Sequence, residues 1–204
     1  MKDDTILGGS GNDTLIGFEG DDTINGEGGS NRLYVAVDND IILTDTQVTG
    51  DGTDTIRNID FANLYGRAGD NYIDATEASS ISTVIKGYDG DDTLMGSQMS
   101  DRIEGGNGND VLYGSGGNDV LTGNSGTDVF VLESDAGRDT IRDYTDGIDS
   151  FGLSASLGFS DLNIRNNSAG TAALIVNLNS ERVLAIVNHV DASDITAADF
   201  MPDF

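Results

Sequence analysis

Aspartate recurs every nine residues in this chain, inside a glycine-rich turn and two residues before an apolar residue. The clearest run extends from Gly87 to Val131 and reads GYDGDDTLM, GSQMSDRIE, GGNGNDVLY, GSGGNDVLT, GNSGTDVFV. A second run opens the chain with GGSGNDTLI from Gly8, GFEGDDTIN from Gly17 and GEGGSNRLY from Gly26. A register kept over so many units predicts a repeat architecture, in which each unit is one structural element stacked on its neighbours.

The composition of each unit indicates a metal-binding turn followed by a short strand. Glycine permits tight turns and leaves backbone carbonyls accessible. Calcium is a hard cation that prefers six to eight oxygen ligands, which carboxylates and carbonyls supply. The residues after each turn alternate as a strand does, with the apolar residue pointing inward. Each unit is therefore expected to place oxygen ligands in its turn and one apolar side chain in the core.

These nonapeptides resemble the RTX (repeats-in-toxin) calcium-binding repeats. The resemblance implies an all-β fold, a right-handed parallel β-roll or β-helix solenoid in which two units form one coil. It also implies several Ca²⁺ ions between turns stacked on the same side. On this basis the expected side-chain pairs, two units apart, are Asp4 with Asp22, Asp13 with Asn31, Asp22 with Asp40, Asp92 with Asp110, Asp101 with Asp119, and Asp110 with Asp128. The metal-ligating residues that the repeats predict are Asp4, Gly8, Ser10, Asn12, Asp13, Gly17, Glu19, Asp21, Asp22, Asn31, Asp40, Asp54, Gly87, Asp89, Asp91, Asp92, Gly96, Asp101, Gly105, Asn107, Asn109, Asp110, Gly114, Gly116, Asn118, Asp119 and Asp128.

The ligand positions divide the array into three parts. Residues 1–57 and 87–131 are predicted to be rich in calcium, and residues 58–86 to be irregular and poor in calcium, since Ala62 and Thr83 stand where a ligand is expected. Five residues are inserted in the first part, from Thr44 to Val48. The predicted inward residues are Ile6, Leu15, Ile24, Leu33, Ile42, Ile56, Leu64, Ile73, Ile85, Leu94, Ile103, Leu112, Leu121 and Phe130.

The tail, residues 132–204, lacks the glycine spacing and shows β-like alternation. We expect strands at 139–144, 161–165, 171–178 and 182–188, the last two forming a hairpin, and a short helix from Ser193 to Phe200. Because a solenoid needs its open end covered, this tail is predicted to be a β-rich cap whose hairpin covers Phe130. It resembles the segments that follow RTX repeats in type I secreted proteins. Asp139, Asp143 and Asp149 could bind one more calcium, or simply form a turn-rich surface.

Composition excludes several classes of function. The formal net charge of -26 makes nucleic-acid binding improbable. There is no cysteine, and the single histidine, His189, has no second histidine to share a metal with. No long apolar stretch predicts a transmembrane segment. The repeats begin at the first residues with no visible signal peptide, which suggests part of a longer protein or a small complete one.

The preferred interpretation is a non-enzymatic RTX module that folds on calcium binding after type I secretion and stabilises an extracellular or cell-surface bacterial protein. One alternative is a calcium-dependent adhesion or carbohydrate-binding module that contacts polysaccharide or a cell surface. Another is the non-catalytic C-terminal part of a secreted hydrolase or epimerase. The expected partners are calcium and the type I secretion machinery, and the alternatives differ in whether the isolated chain binds a sugar.

Overall fold

A computed structural model describes residues 3–134 and 136–201 of the chain. Within them the structure is almost entirely β, and its helical segments are two three-residue 3₁₀ turns, Phe159–Asp161 and Ala197–Asp199. In chain order the strands are β1 (Thr5–Leu7), β2 (Thr14–Leu15), β3 (Thr23–Asn25), β4 (Arg32–Ala36), β5 (Ile41–Thr44), β6 (Gln47–Thr49), β7 (Thr53–Arg57), β8 (Phe61–Tyr65), β9 (Tyr72–Glu77), β10 (Ser82–Asp89), β11 (Thr93–Met95), β12 (Arg102–Asn107), β13 (Val111–Tyr113), β14 (Val120–Ser125), β15 (Val129–Leu132), β16 (Asp139–Ile141), β17 (Ser150–Leu153), β18 (Leu162–Asn166), β19 (Ala172–Asn177), β20 (Val183–Asn188) and β21 (Phe200–Met201).

The strands form two sheets, between which the chain alternates along most of its length. Sheet I has the order β1-β3-β7-β6-β5-β9-β11-β13-β15-β17-β21, and sheet II has the order β18-β19-β20-β16-β14-β12-β10-β8-β4-β2. In both repeat runs, strand pairing is parallel and joins residues 18 positions apart, as in Ile6 with Ile24 and Ile103 with Leu121. Two nonapeptides therefore form one coil. This confirms the predicted all-β parallel solenoid.

Each repeat contributes one inward side chain to a narrow core between the sheets. Ile24, Leu33, Leu94 and Ile103 are completely buried, and the side chains flanking them on the same strands are more exposed. So thin a core leaves much of the chain in turns at the two sides of the roll. The glycine-rich turns, stacked along the roll, are the part of the fold that positions the aspartates.

The insertion at residues 44–48 changes the fold locally, and the prediction that Ile42 points inward is wrong. β5 and β6 form an antiparallel hairpin that adds two strands to sheet I only. β5 pairs with β9 so that Ile41, not Ile42, lies beside Ile73. Ile41 and Leu43 are consequently buried, whereas Ile42 is 44% exposed. The extra residues shift the alternation of the strand by one position.

The tail continues both sheets. Phe130 pairs in register with Phe151 on β17, which in turn pairs with Phe200 on β21. The rings of Phe151 and Phe200 stack with centroids 5.2 Å apart. Thus β17, rather than the predicted hairpin, extends the core beyond Phe130, while the hairpin β19–β20 extends sheet II next to β16.

The predicted helix from Ser193 to Phe200 is wrong. Only Ala197–Asp199 is helical, as a 3₁₀ turn that begins after Thr196. Thr196 accepts a hydrogen bond from the backbone N–H of Ala198, and the Asp199 carboxylate accepts one from the Thr196 N–H in return. Phe200 follows this turn and pairs with Phe151 in sheet I.

The tip of the inserted hairpin is tied to the β9–β10 loop by one carboxylate. Asp45 accepts hydrogen bonds from the backbone N–H groups and the hydroxyls of Ser79 and Ser80, with the backbone bonds at 2.9 and 3.0 Å. The Ser79 hydroxyl is the main reason that the pKa of Asp45 is lowered. Four donors on one acidic side chain hold the inserted hairpin against the next coil.

We expect Asp45→Ala to destabilise the calcium-loaded protein by about 1–2 kcal/mol, because charge-assisted hydrogen bonds are lost without a replacement. Urea unfolding followed by circular dichroism measures this change. Asp194→Ala, which removes another exposed carboxylate, is the control. Equal stability of the Asp45 and Asp194 variants would contradict the assigned role of Asp45.

Candidate metal centres

The aspartates of successive coils form columns along the sides of the roll. On one side of the first run, Asp4 donates its backbone N–H to Asp22 Oδ1 at 2.7 Å, and Asp22 donates to Asp54 Oδ1 at 2.9 Å. On the other side, Asp13 donates to Asn31 Oδ1 at 3.1 Å. The carboxylate of one coil thereby caps the backbone of the previous coil.

The second run repeats this arrangement over more coils. Along one side, the backbone N–H groups of Asp92 and Asp110 donate to the Oδ1 atoms of Asp110 and Asp128, each at 2.9 Å. Along the other, Asp101 donates to Asp119 Oδ1 at 2.8 Å. The structure therefore brings together the predicted pairs Asp92 with Asp110, Asp101 with Asp119 and Asp110 with Asp128.

The second oxygen of many of these carboxylates has no partner. The Oδ2 atoms buried without any hydrogen bond belong to Asp13, Asp22, Asp92, Asp110 and Asp119. Four of these residues are at most 2% exposed. A buried charged oxygen without a partner costs folding free energy, and proteins normally pair such an atom with a donor or a cation. The unpaired oxygens therefore mark the positions where a cation is needed.

The first glycine of each unit leaves room for such a cation. A Cβ atom on Gly8 would lie 2.8 Å from Asp13 Oδ2 and 2.7 Å from the carbonyl oxygen of Gly26 in the next coil. A Cβ on Gly105 would collide with Asp110 Oδ2 and lie 2.8 Å from the carbonyl oxygen of Gly123. We call this space the glycine cradle. It lies between a carboxylate and a carbonyl oxygen, the donor types that calcium prefers.

Backbone carbonyls are an essential part of this donor set. Among residues 3–134 and 136–201, no three His, Asp or Glu side chains converge as a side-chain-only metal site would require. The cradles instead combine one or two carboxylates with backbone carbonyls. This composition fits a hard cation with many oxygen ligands and does not fit a transition metal that needs nitrogen or sulfur.

Burial raises the pKa of the column aspartates. Loss of hydration is the largest cause, and it raises the pKa of Asp92 and of Asp128 to about 6 and that of Asp110 to about 7. The pKa values of the neighbouring pair Asp119 and Asp139 are also raised, again mainly by burial. The metal-free fold therefore holds these carboxyl groups in surroundings that oppose their ionisation.

Asp101 differs from the other column aspartates because Ser97 follows Gly96 in its unit. The backbone N–H and the hydroxyl of Ser97 donate to Asp101 Oδ2 at 2.6 and 2.9 Å. The oxygen that is unpaired in neighbouring units is satisfied here by a side chain. Asp101 stays a predicted ligand, with a local competitor for its carboxylate.

The predicted pairing of Asp22 with Asp40 is wrong. Asp22 donates its N–H to Asp54, whereas Asp40 is exposed and accepts the N–H of Tyr72 at 3.1 Å. The inserted hairpin separates the two aspartates, because β7 rather than β5 pairs with β3. Glu19, another predicted ligand, is also exposed.

Several predicted ligands that precede the column aspartates have a different partner. Their side-chain oxygens accept backbone N–H groups from the turn of the next coil, as in Asp91 Oδ1 with Asn109 at 2.7 Å. The same bond is formed by Asn12, Asp21, Asn109 and Asn118. Other predicted ligands also form contacts between coils. The Asn107 side-chain amide donates to Asp89 Oδ1, Ser10 forms an isolated β-bridge with Gly28, and Gly116 donates its N–H to the Ser97 carbonyl. These residues hold the turns in register whether or not they also contact a metal.

Three further aspartates extend the columns: Asp139 and Asp149, which the sequence offers as possible ligands of one more calcium, and Asp60, which it does not. The backbone N–H groups of Asn31, Asp119 and Asp128 donate to the carboxylates of Asp60, Asp139 and Asp149. Asp139 and Asp149 keep the spacing of aspartate two residues before an inward apolar residue, in Asp-Thr-Ile and Asp-Ser-Phe. That spacing was available in the sequence, but a single glycine, Gly137 or Gly147, precedes each aspartate in place of the full glycine-rich turn.

The raised pKa values predict how the metal-free fold responds to pH. A carboxyl group whose pKa is raised from 3.8 to about 7, as in Asp110, binds more protons when folded than when unfolded. Its contribution to stability is present below pH 4 and is lost as the pH rises to about 7. In excess EDTA we therefore expect more folded protein at pH 5 than at pH 8 by circular dichroism.

Asp110→Asn is the control for this pH dependence, since the amide cannot titrate and the variant should show a weaker dependence. An unchanged signal in EDTA across this range would contradict the burial argument.

Comparison with known proteins identifies the repeats. The model of the RTX calcium-binding nonapeptide repeat (4 copies) matches residues 2–33, 84–98 and 95–130. No curated protein matches the chain. Among solved structures, extracellular lipase LipA from Serratia marcescens is similar at 16% identity and a TM-score of 0.40, covering 98% of this chain and 38% of the lipase chain. The AlgE6R3 subunit of the Azotobacter vinelandii mannuronan C5-epimerase is similar at 17% identity and a TM-score of 0.33, covering 95% of this chain and 80% of that chain.

The chain thus spans 38% of the length of the lipase that it resembles. The stretches that the family model matches contain both aspartate runs, with the glycine cradles beside them. The chain therefore carries RTX calcium-binding nonapeptide repeats at residues 2–33 and 84–130.

Proposed function

We propose that this chain is a non-catalytic calcium-binding module that folds when it meets calcium outside the cell and so stabilises a secreted bacterial protein. The observation that carries the proposal is the set of buried, unpartnered Oδ2 atoms facing the glycine cradles. A fold that buries these charges without a counter-ion is unfavourable, and the same fold with calcium bound is not.

Electrostatics supports a calcium-triggered transition. The chain carries 36 acidic and 10 basic residues, so the unfolded, metal-free chain repels itself. Folding brings aspartates of successive coils within hydrogen-bonding distance of one another's backbone, which concentrates this charge further. Extracellular calcium modules bind at about 10⁻⁴ to 10⁻³ M, far above cytosolic calcium. The chain would therefore stay loose inside the cell and fold outside it.

The residues that would hold calcium lie in both runs. In the second run, the cradles at Gly87 and Gly105 would use the Asp92 and Asp110 carboxylates with carbonyls of the next coil. In the first run, the Gly8 cradle would use Asp13 in the same way. When bound, calcium supplies positive charge to these oxygens. The centre, residues 58–86, would depend on apolar packing instead.

The proposed location follows from the repeats. RTX repeats occur in secreted bacterial proteins. No helix among the described residues approaches the length and apolarity of a membrane span. We propose export by a type I secretion system, with the β-rich tail acting as the cap that completes the roll. These residues would hold calcium in the same way if the chain is the non-catalytic part of a secreted hydrolase or epimerase.

We expect the chain to be largely unfolded in EDTA at pH 7.5 and to fold cooperatively with calcium. Asp110→Asn should raise the calcium midpoint roughly tenfold, about 1.4 kcal/mol, since the amide keeps the Oδ1 bond but removes a ligand oxygen. Asp40→Asn is the matched control, because Asp40 lies exposed outside the columns. Circular dichroism during a calcium titration measures both midpoints.

Two outcomes would refute the proposed function. One is a native spectrum in excess EDTA that calcium does not alter. The other is an equal midpoint shift for the Asp110 and Asp40 variants, which would mean that net charge, rather than the column, controls folding.

A second candidate function, binding to acidic polysaccharide, is favoured by the outer face of sheet II. The rings of Tyr34, Tyr65 and Tyr88 follow one another across β4, β8 and β10, with centroids 5.2 and 6.0 Å apart. Beside them, the Arg32 guanidinium lies 5.5 Å from the centre of the Phe61 ring. Aromatic and basic side chains together suit a hydroxylated, negatively charged polymer, and this face carries them in a strongly acidic protein.

We expect the calcium-folded protein to be retarded in a gel containing polyuronate and not in one containing a neutral glucan. Tyr65→Ala should reduce the retardation severalfold, because Tyr65 contacts both other rings. Tyr113→Ala, which removes a tyrosine from sheet I, should not. Retention that is equal for both variants, or absent altogether, would rule out this face as a binding surface.

A further inference from the structure

The inserted hairpin interrupts the stack of turns below Gly17. In the regular coils a strand of sheet II leads into the turn that precedes a strand of sheet I. Here β4 continues to Val37, whose N–H bonds the Tyr65 carbonyl, and then enters β5. The turn that stacks below Gly17 is reached instead from β6, which runs antiparallel to β7. One side of this turn is therefore left without the usual incoming strand.

Two carboxylate oxygens are the nearest atoms to the Gly17 cradle, an arrangement that it shares with the Gly114 cradle. A Cβ on Gly17 would lie 2.7 Å from Asp22 Oδ2 and 2.9 Å from Asp54 Oδ2, and the next nearest atom is the Ile24 Cδ1 at 3.2 Å. At Gly8, by comparison, the two nearest atoms are the Gly26 carbonyl oxygen and Asp13 Oδ2. Asp22 is 2% exposed and its Oδ2 has no partner. Gly17 and Asp54 also line a cavity, so the cradle offers two carboxylates on one side and an open position on the other.

A cavity of about 290 Å³ lies beside this open position. Gly17 and Asp54 belong to both the cradle and the cavity wall, and the floor is apolar, with Leu33, Val35 and Val48. Ligand pockets usually measure about 300–1,000 Å³, so this cavity suits one small molecule or one sugar residue rather than a long segment of polymer.

Phe18 lies at the rim of the cavity, with an exposed ring and a positive φ angle. It is 80% exposed and its backbone has φ of 66°, a conformation that is costly for a bulky residue. Strained backbone and an exposed aromatic ring at the mouth of a cavity are both features of binding sites. An exposed ring of this kind can pack against the C–H face of a sugar.

We propose that calcium in the Gly17 cradle keeps an open coordination position toward this cavity and binds a neutral sugar residue there. Two adjacent hydroxyls of the sugar would complete the coordination, and its C–H face would lie on Phe18. Glu19 and Asp51 at the cavity wall would accept further hydroxyls and disfavour anionic ligands. The basic residue of the cavity wall, Arg67, is 3.8 Å from Asp38 and so is already paired. This inference rests on the proposed calcium function.

The test is isothermal titration calorimetry of the full chain with methyl α-mannoside and methyl α-galactoside, in calcium and in EDTA. We expect at least one glycoside to bind in calcium and neither to bind in EDTA. By linkage, the sugar should lower the calcium midpoint of folding. Phe18→Asn should weaken binding at least tenfold while calcium still folds the chain, since asparagine tolerates positive φ. Ile148→Ala, at another exposed apolar side chain, is the control.

The outcomes separate this inference from the proposed function. Absence of any glycoside binding to the calcium-folded protein overturns the sugar site alone. Binding that persists in Phe18→Asn, or that the control weakens equally, overturns its location. Circular dichroism of the same samples tests the underlying function, because a chain that calcium does not fold would refute both proposals.

Discussion

The fold depends on aspartate carboxylates in which only one of the two oxygens forms a hydrogen bond within the protein. In each column, one aspartate oxygen accepts the backbone N–H of the previous coil, while the other is buried toward a glycine cradle. The hydrogen bonds fix the stacking distance, and the unpaired oxygens make that stacking unfavourable without a cation. Because the apolar core contributes about one side chain per repeat, this electrostatic balance has a large influence on whether the roll forms.

The glycines of the repeat are needed for the same stacked turns and cation sites. At Gly29, with φ of 100°, and at Gly108, with φ of 135°, the turn needs a conformation that other residues rarely adopt. At Gly8 and Gly105 the backbone is ordinary, and glycine is needed because a Cβ would occupy the cradle. The repeat therefore uses glycine for two reasons, turn geometry and space for the cation. Where the inserted hairpin breaks the stack, the cradle at Gly17 has two carboxylates as its nearest atoms and adjoins a cavity.

Much of the fold and of the columns could be predicted from the nonapeptide register. The spacing of Asp92, Asp110 and Asp128 directly predicts their stacking, because local turn chemistry and the strand period agree. The register failed at Ile42, where an insertion became an antiparallel hairpin whose pairing depends on distant strands. The continuation of the core through Phe151 and Phe200 also depended on tertiary pairing, since neither strand has a glycine-rich turn before it.

The central claim, that cations occupy the glycine cradles, is tested most directly by locating them. A crystal of the calcium-folded protein, with a lanthanide exchanged for calcium, would show each site by anomalous scattering. The account predicts peaks beside Gly8, Gly87 and Gly105, within coordinating distance of Asp13, Asp92 and Asp110 respectively. Peaks confined to exposed acidic turns, with the cradles empty and the Oδ2 atoms still unpaired, would contradict it.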